Sequence, residues 1–213
     1  MPATVPITQP VIAASRHPVP RRIQGCHGGG VKHVGALPRS RRGGAAPSTP
    51  AGATYLATPE QYERAVQAAV AAFEVTRKLP AYERGAILRN LSAGIKARRE
   101  ELATLLSREA GKPIRDAYVE VDRAAIVARL GAEEAERMVG EVIPLDIVPA
   151  SKDRVGLTRR FPVGPIAGIS PFNFPLNLAM HKIAPAIASG NPIVLKPPSK
   201  DPLVMLTVAE IIE

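Results

Sequence analysis

A chain of 213 residues, 46% of them hydrophobic, suffices for a sizeable core, and its single cysteine excludes both a disulfide framework and a cysteine-rich zinc site. The formal charge of +9 belongs to one end: residues 1–59 hold seven Lys or Arg and no acid, which leaves 21 basic against 19 acidic residues, or +2, for the remainder. With 4% aromatic residues and no basic stripe in the foldable part, nucleic-acid binding is not expected, and no apolar run of about 18 residues supports a membrane span.

Residues 1–53 are rich in Pro, Gly, Arg and Ala, with GGG at 28–30 and PRSRRGG at 38–44. Such a segment buries too little apolar surface to offset the entropy of ordering it, and a disordered tail is expected. Pro2, Pro6, Pro10, Pro18 and Pro20 would break the amphipathic helix of a transit peptide, and no secretory signal pattern is present, so the cytoplasm is the default compartment. Cys26, His27 and His33 lack a fourth ligand for zinc, and no metal is expected.

Order is expected to begin near Thr58, where Thr58-Pro59-Glu60-Gln61 forms a capping box with proline at the first helical position. Tyr62, Ala65, Val66, Ala69, Val70 and Phe73 then recur at helical spacing as one apolar face. A second helix follows Pro80, with Ile87, Leu88, Leu91 and Ile95 on one side, and a third carries Leu102, Leu105 and Leu106 before Gly111-Lys112-Pro113 ends it. Residues 114–138 read as a fourth helix, with Tyr118, Val121, Ala125, Ile126, Ala128 and Leu130 as its apolar contacts. Charged residues such as Arg98, Arg99, Glu100 and Glu101 read as solvated faces. From Gly140 the period shortens, and residues 142–148 and 154–163 read as irregular strands interrupted by proline and glycine.

Residues 165–170, PIAGIS, form a short apolar run of the kind buried on both faces of a parallel sheet. Pro171-Phe172-Asn173-Phe174-Pro175 follows, and the two prolines fix the backbone around Asn173 at the strand's carboxyl end, where open α/β sheets bind ligands. An apolar helix over 176–189 leads through Gly190-Asn191 to a second buried strand over 192–195, and Lys196 stands at its end before Pro197, Pro198 and Ser199. An amide and an ammonium from neighbouring parallel strands facing one crevice suit a nucleotide cofactor, the amide donating to an oxygen where charge develops and the ammonium to ribose hydroxyls or phosphate. No GxGxxG follows the first strand. The alternative is a buried Asn satisfying turn backbone groups and a solvated Lys.

The stretch ISPFNFPLNLAMHKIAPAIASGNPIVLKPPSK, with LPAYERGAIL and EAGKPIRDA upstream, resembles the start of the cofactor-binding domain of the aldehyde dehydrogenase superfamily. The resemblance covers the chain from about Thr54 onward. It implies an α/β fold: the amino-terminal half of that architecture, a helical layer plus the beginning of a parallel Rossmann-type sheet, with residues 54–213 an incomplete NAD(P)-binding domain and extended oligomerisation-type strands at 141–163. The activity implied is oxidation of an aldehyde to a carboxylic acid with NAD or NADP as hydride acceptor, in a homo-oligomer and without nucleic-acid or membrane partners. Asn173 would be the oxyanion donor. Ile169, Ser170, Pro171 and Phe172 would line the nicotinamide side of the groove, Lys196 would hold the adenosine ribose, and Pro198 and Ser199 would complete the cofactor contacts. Phe174 and Leu178 match positions that wall the aldehyde tunnel, or else pack the core. Lys182 matches a helix lysine near that site, or is a structural donor. Ser199 stands where many NAD-specific relatives carry a Glu, which implies that NADP is tolerated or preferred, and the wording of 181–203 looks most like a bacterial and archaeal branch acting on small hydroxy-, phosphono- or semialdehydes.

The family works through a cysteine thiolate and a water-activating glutamate, both farther along the family chain than Glu213. Cys26, in the unmatched tail, cannot stand in for the thiolate. The expectation is a fragment incompetent for turnover alone; the alternative is a non-catalytic scaffold or partner-binding remnant of a dehydrogenase.

Overall fold

The computed structural model describes residues 51–213 and the backbone of 31–34. Val31–Val34 (β1) pairs antiparallel with Gly52–Tyr55 (β2), Val31 opposite Tyr55 and Val34 opposite Gly52. Apart from the residues of this ladder, the tail expected to be disordered lies outside the described residues; the pairing satisfies the facing backbone groups of the two segments.

Thr58 caps the first helix, Pro59–Thr76 (α1), in the expected manner: its hydroxyl accepts from the Gln61 N–H while its own N–H donates to Gln61 Oε1 at 2.9 Å. The apolar face read along this helix is not buried as a whole. Ala69 is buried, but Tyr62 is 59% and Val70 50% exposed, because little among the described residues packs against α1 beyond the second strand of the parallel pair below.

Ala81–Ala97 (α2), Arg99–Ala110 (α3) and Ile114–Arg137 (α4) form the helical layer. Leu88, Leu91 and Ile95 of α2, Leu102 and Leu106 of α3, and Val121 of α4 are buried at the spacing that the sequence pattern requires. The face of α4 is largely alanine, at 117, 124, 125, 128, 132 and 135, which lets neighbouring helices approach closely. Ile126 and Leu130, expected as contacts, are instead 44% and 43% exposed, on the edges of that alanine stripe. Gly111 ends α3 in the left-handed region at φ 66°, the conformation a helix-terminating glycine supplies without a Cβ penalty.

Val142–Pro144 (β3) and Val155–Leu157 (β4) pair antiparallel as a separate exposed hairpin. Ile166–Ile169 (β5) and Ile193–Lys196 (β6) pair in parallel, joined by Pro175–Ala188 (α5), and Leu203–Ile212 (α6) follows. The βαβ reading holds. The expectation that β5 is buried on both faces does not: Gly168 is buried, but Ile169 is 69% exposed, because this sheet has two strands and leaves side chains at their carboxyl end uncovered. The buried face of α5, including Leu176, Met180 and Ile183, packs on α4, so that the parallel pair and the helical layer share one core. No helix among the described residues is long and apolar enough to cross a membrane.

Candidate functional site

The parallel register places Ile169 opposite Lys196, and the Ser170 N–H donates to the Lys196 carbonyl at 3.1 Å, one step beyond the strand. The turn carrying Asn173 therefore leaves the sheet beside the strand end that carries Lys196. Pro175 opens α5 at a position whose N–H would have no helical partner, which ties the turn to the start of the helix.

Within the turn, Ser170 is buried and its hydroxyl lies 3.5 Å from the Pro175 carbonyl, so its side chain faces α5 and only its backbone remains for a groove. Pro171, Phe172, Asn173 and Phe174 are exposed. The Asn173 carbonyl accepts from Lys112 Nζ at 3.3 Å, while its side-chain amide has no hydrogen bond among the described residues. Each ring of the turn lies under an ammonium: Lys112 Nζ is 4.1 Å from the Phe174 centroid and Lys200 Nζ 4.2 Å from that of Phe172, both within cation–π range. Lys196 is exposed and donates to Ser199 Oγ at 2.6 Å, and Pro198 is buried behind that turn.

A cavity of about 890 Å³ opens beside the turn. Phe172, Asn173 and Phe174 line one side; the carboxyl end of α3 and the first turns of α4 line the other, with Glu109, Lys112, Asp116, Glu120 and Arg123; Lys200 and Asp201 complete it. Lys196 is not in its lining. Lys182 is elsewhere: its Nζ donates to the Leu178 carbonyl at 3.2 Å, and it borders a second cavity of about 1250 Å³ between α5, the start of α2 and residues 159–163. Leu178 is half-buried and lines neither cavity. Cys26 lies outside the described residues.

No motif in the sequence marks the acidic side of the cavity. Glu120 has no exposed side-chain surface; its Oε1 accepts from the N–H groups of Leu176 at 3.0 Å and Asn177 at 3.2 Å, and its Oε2 is paired with Lys112. Glu109, 5% exposed, accepts from the Leu203 N–H at 2.6 Å and the Val204 N–H at 3.1 Å. Burial pushes the Glu109 carboxyl up to about 7, against the pull of those two N–H groups and with a further push from Asp201. Burial likewise raises Asp201 to about 6, aided by Glu120 and opposed by Lys112, and its Oδ1 is buried without a hydrogen-bond partner. These carboxylates do not converge as metal ligands among the described residues. The available signal was positional: Glu109 lies seven after Leu102 on the buried stripe of α3, and Glu120 lies between Ala117 and Val121 on that of α4.

A parallel strand pair joined by a helix, with polar side chains at its carboxyl end, defines a unit of the open α/β class, whose ligands bind at that end. The particular lineage follows from sequence: the aldehyde dehydrogenase family model matches residues 45–213, and the chain belongs to that family. The 3-sulfolactaldehyde dehydrogenase of Priestia aryabhattai is 41% identical over 164 residues, 77% of this chain and 34% of that protein. The lactaldehyde dehydrogenase of Methanocaldococcus jannaschii is 48% identical over 154 residues, 72% of this chain and 32% of that protein. The glyceraldehyde-3-phosphate dehydrogenase GapN of the same organism, solved in complex with NADP, matches with a TM-score of 0.77 at 39% identity, over 88% of this chain and 38% of that one. The chain thus spans about a third of the length of the relatives it matches.

Proposed function

We propose that the protein containing this chain oxidises an aldehyde to a carboxylic acid with NAD or NADP, and that this segment supplies the cofactor edge and the donor to the reacting oxygen. The observation that carries the reading is the exposed Asn173 amide, without a partner among the described residues, on a turn leaving β5 beside Lys196 at the end of the parallel β6. The names of the relatives, lactaldehyde and 3-sulfolactaldehyde dehydrogenase, support small aldehydes as the substrate class.

The residues at the strand ends fit a dinucleotide. Ile169, Pro171 and Phe172 present exposed apolar surface and backbone on one side, and Lys196 presents an exposed ammonium with Ser199 at the other. When bound, NAD(P) supplies the hydride acceptor. Lys196 donates to ribose hydroxyls; Ser199, uncharged where a carboxylate would repel a 2′-phosphate, admits NADP; Pro198 holds the shape of that turn. Asn173 Nδ2 donates to the aldehyde oxygen as negative charge develops on it, an interaction that grows toward the transition state. Phe174 walls the aldehyde side of the cavity, with Leu178 behind it and Lys182 acting through the Leu178 carbonyl. The exposed β3–β4 hairpin, with Val142 71% and Leu157 78% exposed, is the surface assigned to pairing between subunits.

The test uses protein expressed from its complete coding sequence, NAD and NADP, and a panel of lactaldehyde, 3-sulfolactaldehyde and sulfoacetaldehyde, followed by absorbance of the reduced nicotinamide. Asn173→Ala is expected to lower kcat by about 10²–10³ while cofactor affinity changes little. Equal losses in kcat and cofactor affinity would assign Asn173 a purely structural role and overturn the reading.

A further inference from the structure

We infer that the Lys112–Glu120 ion pair is a positioning device for the Asn173 amide; this rests on the reading of Asn173 as the donor to the aldehyde oxygen. The pair holds one short segment at four of five consecutive positions. Lys112 bonds the Asn173 carbonyl and covers the Phe174 ring, while Glu120 takes the N–H groups of Leu176 and Asn177. The position between them, Pro175, has no N–H to hold.

The placement of Glu120 is what makes this more than a surface contact. A carboxylate with no exposed surface, on the alanine face of α4, is costly unless each oxygen is compensated, and an apolar residue of similar volume would often be as stable there. Here both oxygens are used, and every partner serves the residue 173 turn. Leu176 and Asn177 are the second and third residues of α5, whose own cap position is Phe174 and offers no side-chain acceptor. Glu120 therefore does the work of an N-cap from another helix, which fixes where α5 starts. Lys112, 13% exposed, extends the same fixed point by one side chain to the Asn173 carbonyl.

The consequence for Asn173 is geometric. Its side chain has two rotatable bonds and no hydrogen bond among the described residues to aim it, so the direction of the amide is set by the backbone from which it projects. That backbone is held by the Ser170–Lys196 bond on one side and by Lys112 and Glu120 on the other. A donor misplaced by about 1 Å can lose about a hundredfold in rate, so a residue that never touches the substrate can govern turnover here.

The experiment is a double-mutant cycle in protein from the complete coding sequence, with the fastest aldehyde of the panel and NADP. Lys112→Met is expected to lower kcat about tenfold or more, with KM for NADP changed less than about threefold. The double variant Lys112→Met/Asn173→Ala is expected to match Asn173→Ala within about twofold, because with the amide gone there is nothing left to position. Independent losses that multiply in the double variant would overturn the inference, as would a Lys112→Met enzyme with unchanged kcat. If Asn173→Ala alone keeps its kcat, the underlying functional reading has failed instead. Should Lys112→Met not fold, Glu120→Gln keeps an acceptor for the α5 N–H groups while removing the charge that holds Lys112, and it is expected to give the same non-additive cycle.

Discussion

Replacing Glu109 by glutamine should make the protein more stable near pH 8 while changing it little near pH 5. Glu109 is buried beneath α6, and its carboxyl titrates at about 7 in the fold instead of the ordinary 4.5. The folded state thus keeps this proton over a range where the unfolded chain has released it, so stability from this group is fully present below about pH 4.5 and lost as pH rises toward 7. A rise from 4.5 to about 7, at 1.36 kcal/mol per pH unit, is about 3 kcal/mol, lost in full once the pH is well above 7. Glutamine does not titrate, and it still offers an oxygen to one of the two α6 N–H groups that Glu109 bonds; losing the other bond costs about 1 kcal/mol. Near pH 8 the balance favours the variant by about 2 kcal/mol, a Tm rise of about 4–8 °C for a chain of this size. Near pH 5 the two effects roughly cancel. Asp201, whose charge adds to the push on Glu109, is present in both proteins, so the difference between them reports Glu109 together with its coupling to Asp201. Thermal unfolding followed by circular dichroism at the two pH values measures it. A Tm difference of the same sign and size at both would show that Glu109 is charged throughout, and that the two N–H groups of α6 outweigh its burial.

Asn191 is buried, and its Oδ1 accepts from the N–H groups of Val163 and Gly164 at 2.8 and 2.9 Å while its Nδ2 donates to Ser189 Oγ at 2.8 Å. Asn191→Ala breaks three bonds and strands the buried Gly164 N–H at the entry to β5, so urea unfolding should show a loss of roughly 3 kcal/mol; a loss well below about 1 would mean that water takes over the amide's role. Ser199→Glu places a carboxylate beside Lys196 Nζ, now 2.6 Å from Ser199 Oγ. Fluorescence titration should show NADP affinity falling about tenfold or more with NAD affinity held or improved, because two like charges are then juxtaposed. Equal change for both cofactors would remove Ser199 from the choice between them.

What was legible in the sequence was what neighbouring residues decide. Thr58 and Gln61 announce a helix start by their spacing alone, Gly111 and Gly190 end helices at φ 66° and 78°, and the Gly- and Pro-bounded runs around Ile166 and Ile193 mark two strands with a helix between. The place of Asn173 on an exposed turn after β5 was legible because two prolines frame it. What could not be read depends on which elements meet. The apolar stripe of α1 reads like those of α2 and α4, yet Val70 stays half exposed because burial needs a second surface that local spacing does not encode. Lys182 lies nine residues from Asn173, but the course of α5 turns it toward a different cavity. Lys112 read as part of a helix stop, and its second role appears only when α4 brings Glu120 against α5.

The two buried glutamates answer a single requirement of the fold. A helix that follows a parallel strand starts with N–H groups facing inward, and neither α5, capped at Phe174, nor α6, capped at Pro202, has a side-chain acceptor of its own. Glu120 from α4 supplies the acceptors for α5, and Glu109 from α3 supplies them for α6, each to two N–H groups. The helical layer therefore does more than cover the parallel strands: it completes the hydrogen bonding of both helices that follow them. Separating the layers would break four hydrogen bonds to helix-start N–H groups and uncover two buried carboxylates at once, which couples the two parts energetically. It also explains why these carboxylates face the cavity beside Asn173. A helix start behind a strand's carboxyl end is both where this fold needs acceptors and where its class binds ligands, so the groups that hold the architecture together border the site by the same geometry.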